Sequence, residues 1–290
     1  MYLNLKTRRP SVKLFKNKNT APLLSSPYIA WAFIFILVPL AMVIYYGFTN
    51  EDGQLTFENI ATIAKPGYLK ALIRSLRLAI ISTLVCLLLS YPLGIILSSM
   101  KLTRNTYIVT LFILPMWMNF LLRTLTWMTL LEGKGVINTI LETFHLPTMN
   151  IINTPSAIVL GMVYNFLPFM ILPIYNSLSK IDENVINAAR DLGADSLQTF
   201  LKITLPLSLP GVISGVTMVF IPALTTFAIS SMLGGSKILL IGNIIEQEFT
   251  QLYDWHLGSG LSIVLMIFIF INMIIENLSD HKVQLRNVKE

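Results

Sequence analysis

The chain has 290 residues, of which 54% are hydrophobic and only 12% are charged, and its formal net charge is +6. Soluble domains carry about 25% charged residues, so this composition excludes a soluble globular protein and indicates helices in a lipid bilayer. With several spans of about 20 residues each, little chain is left for a soluble catalytic domain such as an ATPase. The single cysteine, Cys86, lies in an apolar run, where we expect it to serve packing.

Apolar segments alternate with short polar connectors along the whole chain. They predict an all-α membrane protein, a six-transmembrane helical bundle spanning residues 27–278, between a basic tail at residues 1–26 and a short tail at residues 279–290. The first segment is too long for a signal-peptide core, so we expect it to be retained. The predicted spans run approximately over Pro27–Phe48, Leu72–Ser99, Thr106–Leu131, Ser156–Leu178, Leu207–Met232 and Gly258–Leu278.

Basic residues are distributed unevenly between the two sets of connectors. Placing the N-terminal tail in the cytoplasm puts fourteen Lys and Arg residues inside and six outside. Because loops rich in Lys and Arg stay on the cytoplasmic side, we expect a multi-pass protein of the cell membrane with both termini in the cytoplasm. The charge is thereby explained without a nucleic-acid partner. The polar connector Lys180–Pro206 then lies on the cytoplasmic side.

That connector contains the signals for two short helices. Asp182 and Asp195 stand at N-cap positions, and Gly193 stands where a chain leaving a helix adopts the left-handed conformation. The first helix is predicted over about Glu183 to Leu192, with Val185, Ala188, Ala189 and Leu192 on one side. So shallow a face suits insertion into a groove of another protein; the alternative is an ordinary solvated loop with two helical turns.

In this connector Asn187-Ala188-Ala189 is followed by three residues, Gly193, nine further residues and then Ile203-Thr204-Leu205-Pro206. This spacing resembles the EAA loop of ABC-importer permeases, the cytoplasmic coupling helix that docks on the ATPase. The family's usual glutamate is replaced by Asn187, which removes a carboxylate but leaves the helix-and-turn geometry. The resemblance implies the ABC importer type I permease fold. It also implies that contact with the ATPase is made by Asn187, Ala188, Ala189, Arg190, Asp191, Gly193, Ile203 and Pro206.

Four longer segments are similar to the first permease subunit of spermidine/putrescine importers: Ser75–Leu97, Leu114–Trp127, Val163–Leu178 and Ala189–Gly215. This resemblance implies a second homologous permease subunit, two copies of a cytoplasmic ATPase and an extracytoplasmic polyamine-binding protein. ATP and Mg would then be bound by the ATPase, with no cofactor in this chain. Importers of anions and metal ions share the coupling loop, which therefore identifies the class and not the cargo.

Residues with catalytic chemistry are not grouped in this sequence. The three histidines stand singly and no GxxxxGK[ST] motif occurs, so we expect a permease subunit and not an enzyme, the alternative being a membrane-embedded enzyme. An ATPase-independent channel or secondary transporter is a further alternative.

One ionisable residue, Arg123, falls deep within a predicted span, ~12 Å from its outer end at 1.5 Å per residue. Such a residue is a candidate for function, although it could instead hold a helix contact or extend to the interface. A substrate pathway is predicted around it, although the aromatic members could equally be packing or lipid-facing residues. The predicted pathway comprises Trp117, Asn119, Arg123, Tyr164 and Asn165.

Acidic residues are absent from the predicted spans except for Glu276, which is a difficulty for a polycationic cargo. Aromatic faces can hold ammonium groups by cation–π attraction of ~0.5 to 2 kcal/mol each, and the second permease could supply carboxylates. The connectors predicted to lie outside contain a set of acids that could receive the cation or meet the binding protein, or could simply be solvated. This set is Glu51, Asp52, Glu246, Glu248 and Asp254. If the cargo were an anion, Arg123 would be a natural ligand.

Two glycines in the predicted fifth span, Gly211 and Gly215, have the spacing of a small-residue helix contact. They predict close packing either within the bundle or against a partner subunit.

Overall fold

The computed structural model of the chain describes residues 21–100, 114–235 and 237–289, with side chains from residue 26 to residue 278. Residues 1–20 of the predicted basic tail and residues 106–113 of the predicted third span lie outside this part. The helices are α1 (Ala21–Ala32), α2 (Val38–Gly47), α3 (Glu58–Ala61), α4 (Pro66–Ser99), α5 (Phe120–Leu131), α6 (Val136–Thr143), α7 (Pro155–Leu178), α8 (Glu183–Asp191), α9 (Ser196–Thr199), α10 (Leu205–Thr225), α11 (Ala228–Leu233), α12 (Ile241–Gln247) and α13 (Trp255–Lys289).

The all-α membrane architecture is confirmed. Within the described residues, five helices are long and apolar enough to cross a bilayer: Ser26–Gly47, Pro66–Ser99, Pro155–Leu178, Ser196–Thr225 and Trp255–Leu278. The remaining predicted span begins among residues outside the described part. The first helix begins within the predicted tail, at Ala21, and the last continues without interruption to Lys289.

The second span begins at Pro66 and not at Leu72, inside the predicted polar connector. Lys65 is extended and Pro66 occupies the first turn of α4, where its fixed φ favours a helix and its missing N–H costs nothing. The polar residues that follow Pro66 obscured this start in the hydropathy pattern. A short helix, α3, lies in this connector ahead of α4.

The third span is not one continuous helix in its described part. A 3-10 turn covers Leu114–Trp117, and α5 begins only at Phe120. The side chain of Asn119 caps α5, with its Oδ1 accepting hydrogen bonds from the backbone N–H groups of Leu121 (2.8 Å) and Leu122 (3.3 Å). A continuous apolar pattern could not predict this break, because it depends on a single local side-chain bond.

The fifth span differs from the prediction at both ends. A helix runs from α9 through a π-helical turn at Phe200–Thr204 into α10, so it begins at Ser196 and not at Leu207. It ends at Thr225 and not at Met232, because Thr226 is extended. Pro206 has no N–H to donate to the helical hydrogen bonds, which leaves a backbone carbonyl of the preceding turn without its usual donor. The π-helical turn shifts the hydrogen bonding by one residue just before the proline and so accommodates this missing donor.

Helices α4, α7 and α10 form the centre of the bundle. A Cβ at Gly211 would lie 2.5 Å from the Pro173 carbonyl oxygen and 2.5 Å from Ser177 Cβ, and one at Gly215 would lie 2.7 Å from Met170 Sδ. The two glycines therefore bring α10 against α7 of the same chain, which decides the question left open by their spacing.

At the end of the bundle away from α8, buried polar bonds fix the connectors. Asn243 of α12 accepts from Ser230 Oγ at 2.6 Å and donates to the Phe227 carbonyl at 3.0 Å, which ties α12 to the start of α11. Ser75 of α4 accepts from the Ile241 N–H at 2.8 Å. These bonds satisfy backbone groups where α10 ends and the chain turns back.

Candidate functional site

The connector between α7 and α10 has the predicted helix–turn–helix geometry. Asp182 Oδ1 accepts from the Asn184 N–H at 2.9 Å and Asp195 Oδ1 accepts from the Gln198 N–H at 2.7 Å, so both aspartates are N-caps. Between them Gly193 has φ +87°, and its N–H donates to the Arg190 carbonyl at 2.9 Å. The positive φ explains why glycine is placed there.

Helix α8 projects from the bundle, and none of its residues is buried. On the predicted face, Val185, Ala188 and Leu192 are exposed, Leu192 at 90%, and Ala189 is half-buried. Of the other predicted coupling residues, Asn187, Arg190 and Asp191 are exposed, while Ile203 and Pro206 are half-buried at the junction with α10. An exposed apolar surface on a short polar helix is typical of a contact with another protein.

The connector is joined to the bundle by a continuous helix and by side-chain contacts. Helix α9, which Gly193 joins to α8, continues into α10. The π-helical turn at that junction contacts α4, because the Phe200 ring meets the Tyr91 ring edge-to-face at 5.8 Å. Tyr91 Oη also lies 2.7 Å from Ser208 Oγ on α10. Sequence reasoning missed Tyr91, since nothing in its local sequence indicates a partner 117 residues away.

Two of the predicted pathway residues, Arg123 and Asn165, are buried, with exposures of 7% and 1%. Asn165 Nδ2 donates to Thr124 Oγ1 at 3.4 Å and to the Gly161 carbonyl at 2.9 Å, which joins α7 to α5. Arg123 Nε and Nη1 and Asn165 Oδ1 have no hydrogen-bond partner among the described residues. In this conformation neither residue offers a surface to a solute.

The other predicted pathway residues do not converge on one surface either. Trp117 is 81% exposed, and Asn119 is used as the cap of α5. Tyr164 lines a groove between α4, α5 and α7 and meets Trp127 edge-to-face at 5.3 Å. The structure therefore separates them into an exposed ring, a helix cap, a buried pair and one groove residue.

The groove beside these residues has a volume of about 760 Å³. Its walls are mostly apolar, and Arg74 and Arg77 of α4 stand beside the first turn of α7 in its lining. The described residues that line it include no acid. Its charge is therefore of the wrong sign for a polycation.

The acids expected at the outer mouth lie at the end of the bundle away from α8, in different environments. Glu51 and Asp52 are exposed in the connector after α2. Asp254 caps α13 by accepting from the Leu257 N–H at 2.8 Å, and Glu246 accepts from Thr250 Oγ1 at 3.1 Å. Glu51 and Asp52 are thus freely accessible, while Asp254 and Glu246 already hold local bonds.

Glu248 is the exception, because it is only 5% exposed. Tyr68 Oη donates to its Oε1 at 3.5 Å. Burial raises the pKa of Glu248 above its ordinary value, and the nearby Asp254 carboxylate raises this pKa further, while the Tyr68 bond lowers it. This carboxyl cannot receive a solute in the conformation described.

No group of three or more His, Cys, Asp or Glu side chains in the described part of the chain is arranged to hold a metal ion.

Comparison with known proteins identifies the class. Residues 16–284 match the family described as "Binding-protein-dependent transport system inner membrane component". The spermidine/putrescine transport system permease protein PotB of Haemophilus influenzae is 35% identical over 268 residues, covering 88% of this chain and 94% of that protein. PotB of Escherichia coli K12 is 38% identical over 247 residues, covering 82% of this chain and 90% of that protein.

Solved structures show the same fold. The bacterial alginate ABC transporter in complex with an alginate-bound periplasmic protein contains a chain with a TM-score of 0.75, at 15% identity, covering 93% of this chain and 98% of that one. The MetNI methionine ABC transporter in an inward-facing conformation gives a TM-score of 0.55 at 20% identity, covering 74% of this chain and 95% of that one. At these identities the likeness concerns the fold alone. The sequence matches show that this chain belongs to the family of inner membrane components of binding-protein-dependent transport systems.

Proposed function

We propose that the chain is the permease subunit of an ATP-driven importer for spermidine and putrescine. The observation that carries the proposal is its identity of 35–38% to PotB proteins over more than four-fifths of both chains. The coupling loop alone would support only the class of transporter. The proposed cargo, spermidine and putrescine, is taken from the names of these relatives.

The exposed face of α8 is the proposed contact with a cytoplasmic ATPase. Two ATPase copies, which would bind ATP and Mg²⁺, would act on this chain and on a second homologous permease subunit. Nucleotide binding would move α8, and the continuous helix from α9 to α10 would carry the displacement into the bundle. The transporter would alternate between an inward-open and an outward-open conformation. Nucleotide or cargo can shift that equilibrium only by the difference between its affinities for the two conformations. The excess of basic residues in the connectors on the α8 side supports a cytoplasmic location for both termini.

The cargo route is proposed to be completed by the second permease. The five described membrane spans contain one acid, Glu276, so carboxylates that neutralise a polyamine would come from the partner. This chain would contribute aromatic faces such as that of Trp117, whereas Tyr164 lies in the groove whose arginines repel a polycation. Arg123 and Asn165 would reach a solute only after α5 and α7 separate. Glu51 and Asp52 would meet the cation or its extracytoplasmic binding protein.

Uptake of radiolabelled spermidine tests the proposal, in cells that lack their own polyamine importer and express this chain with its partner subunits. We expect uptake that requires ATP and is reduced by unlabelled putrescine but not by sulfate. Competition by sulfate alone would indicate an anion importer. Ion-driven uptake by this chain alone, with no ATPase co-purifying, would contradict the proposal and indicate a secondary transporter.

A further inference from the structure

The groove between α4, α5 and α7 has an amphipathic lining that the proposed cargo does not explain. Its long walls are apolar side chains of α4 and α7, among them Ile81, Val85, Val163 and Leu167. The edge-to-face pair of Trp127 and Tyr164 forms part of the α5 and α7 sides. A groove of about 760 Å³ is large enough for a sizeable organic ligand.

Positive charge is concentrated where α4 and the start of α7 line this groove. Arg74 and Arg77 lie three residues apart on α4, which places them on neighbouring turns of one face. Arg74 is half-buried and donates from Nη1 to the Leu239 carbonyl at 3.3 Å, which holds its guanidinium in place, whereas Arg77 is exposed.

The first turn of α7 adds to this charge. Pro155 and Ser156 also line the groove, and a helix N-terminus carries a partial positive charge. The Thr154 side chain caps the Ala157 N–H only. The two guanidinium groups and the helix terminus therefore favour an anion, and the described lining residues contain no acid to compensate them.

We propose that this groove binds an anionic phospholipid. The phosphate would lie between Arg77, Arg74 and the start of α7, because arginine binds phosphate oxygens in a bidentate geometry. An acyl chain would lie along Ile81, Val85 and Val163 towards Leu167. The groove lies at the opposite end of the bundle from α8. The first turn of α7 lines the groove, and the last turn of α7 leads into the connector that contains α8.

Charge and shape together favour a lipid over other occupants. A polyamine would be repelled by both arginines. Free phosphate would match the charge but would leave the apolar walls uncovered. A helix of a partner subunit could cover the walls, but it would have to supply an acid for two arginines at one end. The inference does not depend on which solute is transported.

Thermal unfolding of the purified full-length transporter in detergent tests the inference. Phosphatidylglycerol, phosphatidylethanolamine or inorganic phosphate would be titrated, and the apparent Tm followed. A ligand that binds only the native state raises Tm with its concentration. We expect phosphatidylglycerol to raise Tm, phosphatidylethanolamine to do so with at least about tenfold weaker apparent affinity, and inorganic phosphate to have no effect.

Matched variants locate the site. Arg77→Gln should weaken the phosphatidylglycerol response about tenfold or more, whereas Lys134→Gln, an exposed cation outside the groove, should leave it unchanged. Ile81→Trp should fill the groove and abolish the response, and Ile80→Trp, on the exposed face of the same helix turn, should preserve it. Arg77 makes no hydrogen bond or ion pair within the described part of the chain, so its variant tests binding even if Arg74→Gln fails to fold.

Three results would overturn the inference. The first is an equal response to the two lipids, and the second is an undiminished phosphatidylglycerol response in Arg77→Gln. The third is loss of the second permease subunit from purified Ile81→Trp but not from Ile80→Trp, which would assign the groove to a subunit contact. None of these results would affect the polyamine uptake assay, so the two proposals fail separately.

Discussion

Tyr91 Oη of α4 lies 2.7 Å from Ser208 Oγ of α10, directly beside the π-helical turn that joins α9 to α10. Ser208 is completely buried and its hydroxyl also lies 3.0 Å from the Leu205 carbonyl oxygen. Tyr91 therefore joins α4 to the helix that continues from α9. We expect a displacement of α9 to reach both α4 and α10.

Removing this hydroxyl pair should uncouple ATP hydrolysis from transport. Tyr91→Phe keeps the ring contact with Phe200 but loses a hydrogen bond worth about 0.5–1.5 kcal/mol. We expect reduced uptake per ATP hydrolysed in the reconstituted transporter, with basal hydrolysis unchanged. Ser208→Ala should have the same effect, and the double variant should be no worse than either single one. Additive losses would show that the two hydroxyls act separately.

Substitution of Gly193 should abolish uptake while the protein still inserts. A β-branched side chain at φ +87° costs about 1–2 kcal/mol, so Gly193→Val should change the direction in which α8 leaves the turn. Gly133→Val is a matched control, because both turn glycines have open space for a Cβ but only Gly193 has a positive φ. Membrane abundance and spermidine uptake would be measured together. Normal uptake by Gly193→Val would contradict a role for this turn in coupling.

Replacement of Arg123 separates its structural role from its functional role. Its Nε and Nη1 are buried and find no hydrogen-bond partner in the part of the chain that the structure describes, so Arg123→Met should raise the stability of the purified chain by about 1 kcal/mol or more. If Arg123 serves function, Arg123→Met should lose uptake despite that gain, and Arg123→Lys should retain part of it. If Arg123→Met were stabilised and kept full uptake, Arg123 would have no role in transport. A destabilised variant would mean that the guanidinium is paired in the assembled transporter.

Glu248 should make stability depend on pH. Because its pKa is raised in the folded chain, its contribution is fully present below about 4.5, its ordinary value, and is lost as pH rises through the folded pKa. Glu248→Gln should therefore have a higher Tm than the natural chain at neutral pH, and the difference should shrink towards pH 4.5. Glu51→Gln, at an exposed site, is the control. A difference that does not change with pH would exclude this titration as the cause.

Features that depend on neighbouring residues were predictable from the sequence. The caps Asp182 and Asp195 and the turn glycine Gly193 act within a few residues of their partners, and all three are found as predicted. Asn119 was noticed as a polar residue near Arg123, but its cap was not anticipated, because an apolar run on both sides hides a helix break. The same limitation explains the misplaced end of the fifth span at Met232.

Contacts between distant segments were beyond sequence reasoning. The bond between Asn165 and Thr124 joins residues 41 apart, and that between Tyr91 and Ser208 joins residues 117 apart. The predicted pathway residues share apolar surroundings along the chain, yet helix rotation places Trp117 on the surface and Arg123 inside. Glu248 looked like any loop acid until the fold placed it against Tyr68.

The sequence by itself determined that this chain is a helical membrane protein with a polar coupling segment, because hydropathy, capping and glycine conformation are local properties. Only the tertiary structure decided which helix faces meet, and so which arginine is buried, which arginines border an open groove and which tyrosine contacts the start of α10. Those outcomes depend on the rotation and crossing of packed helices, which no single segment encodes.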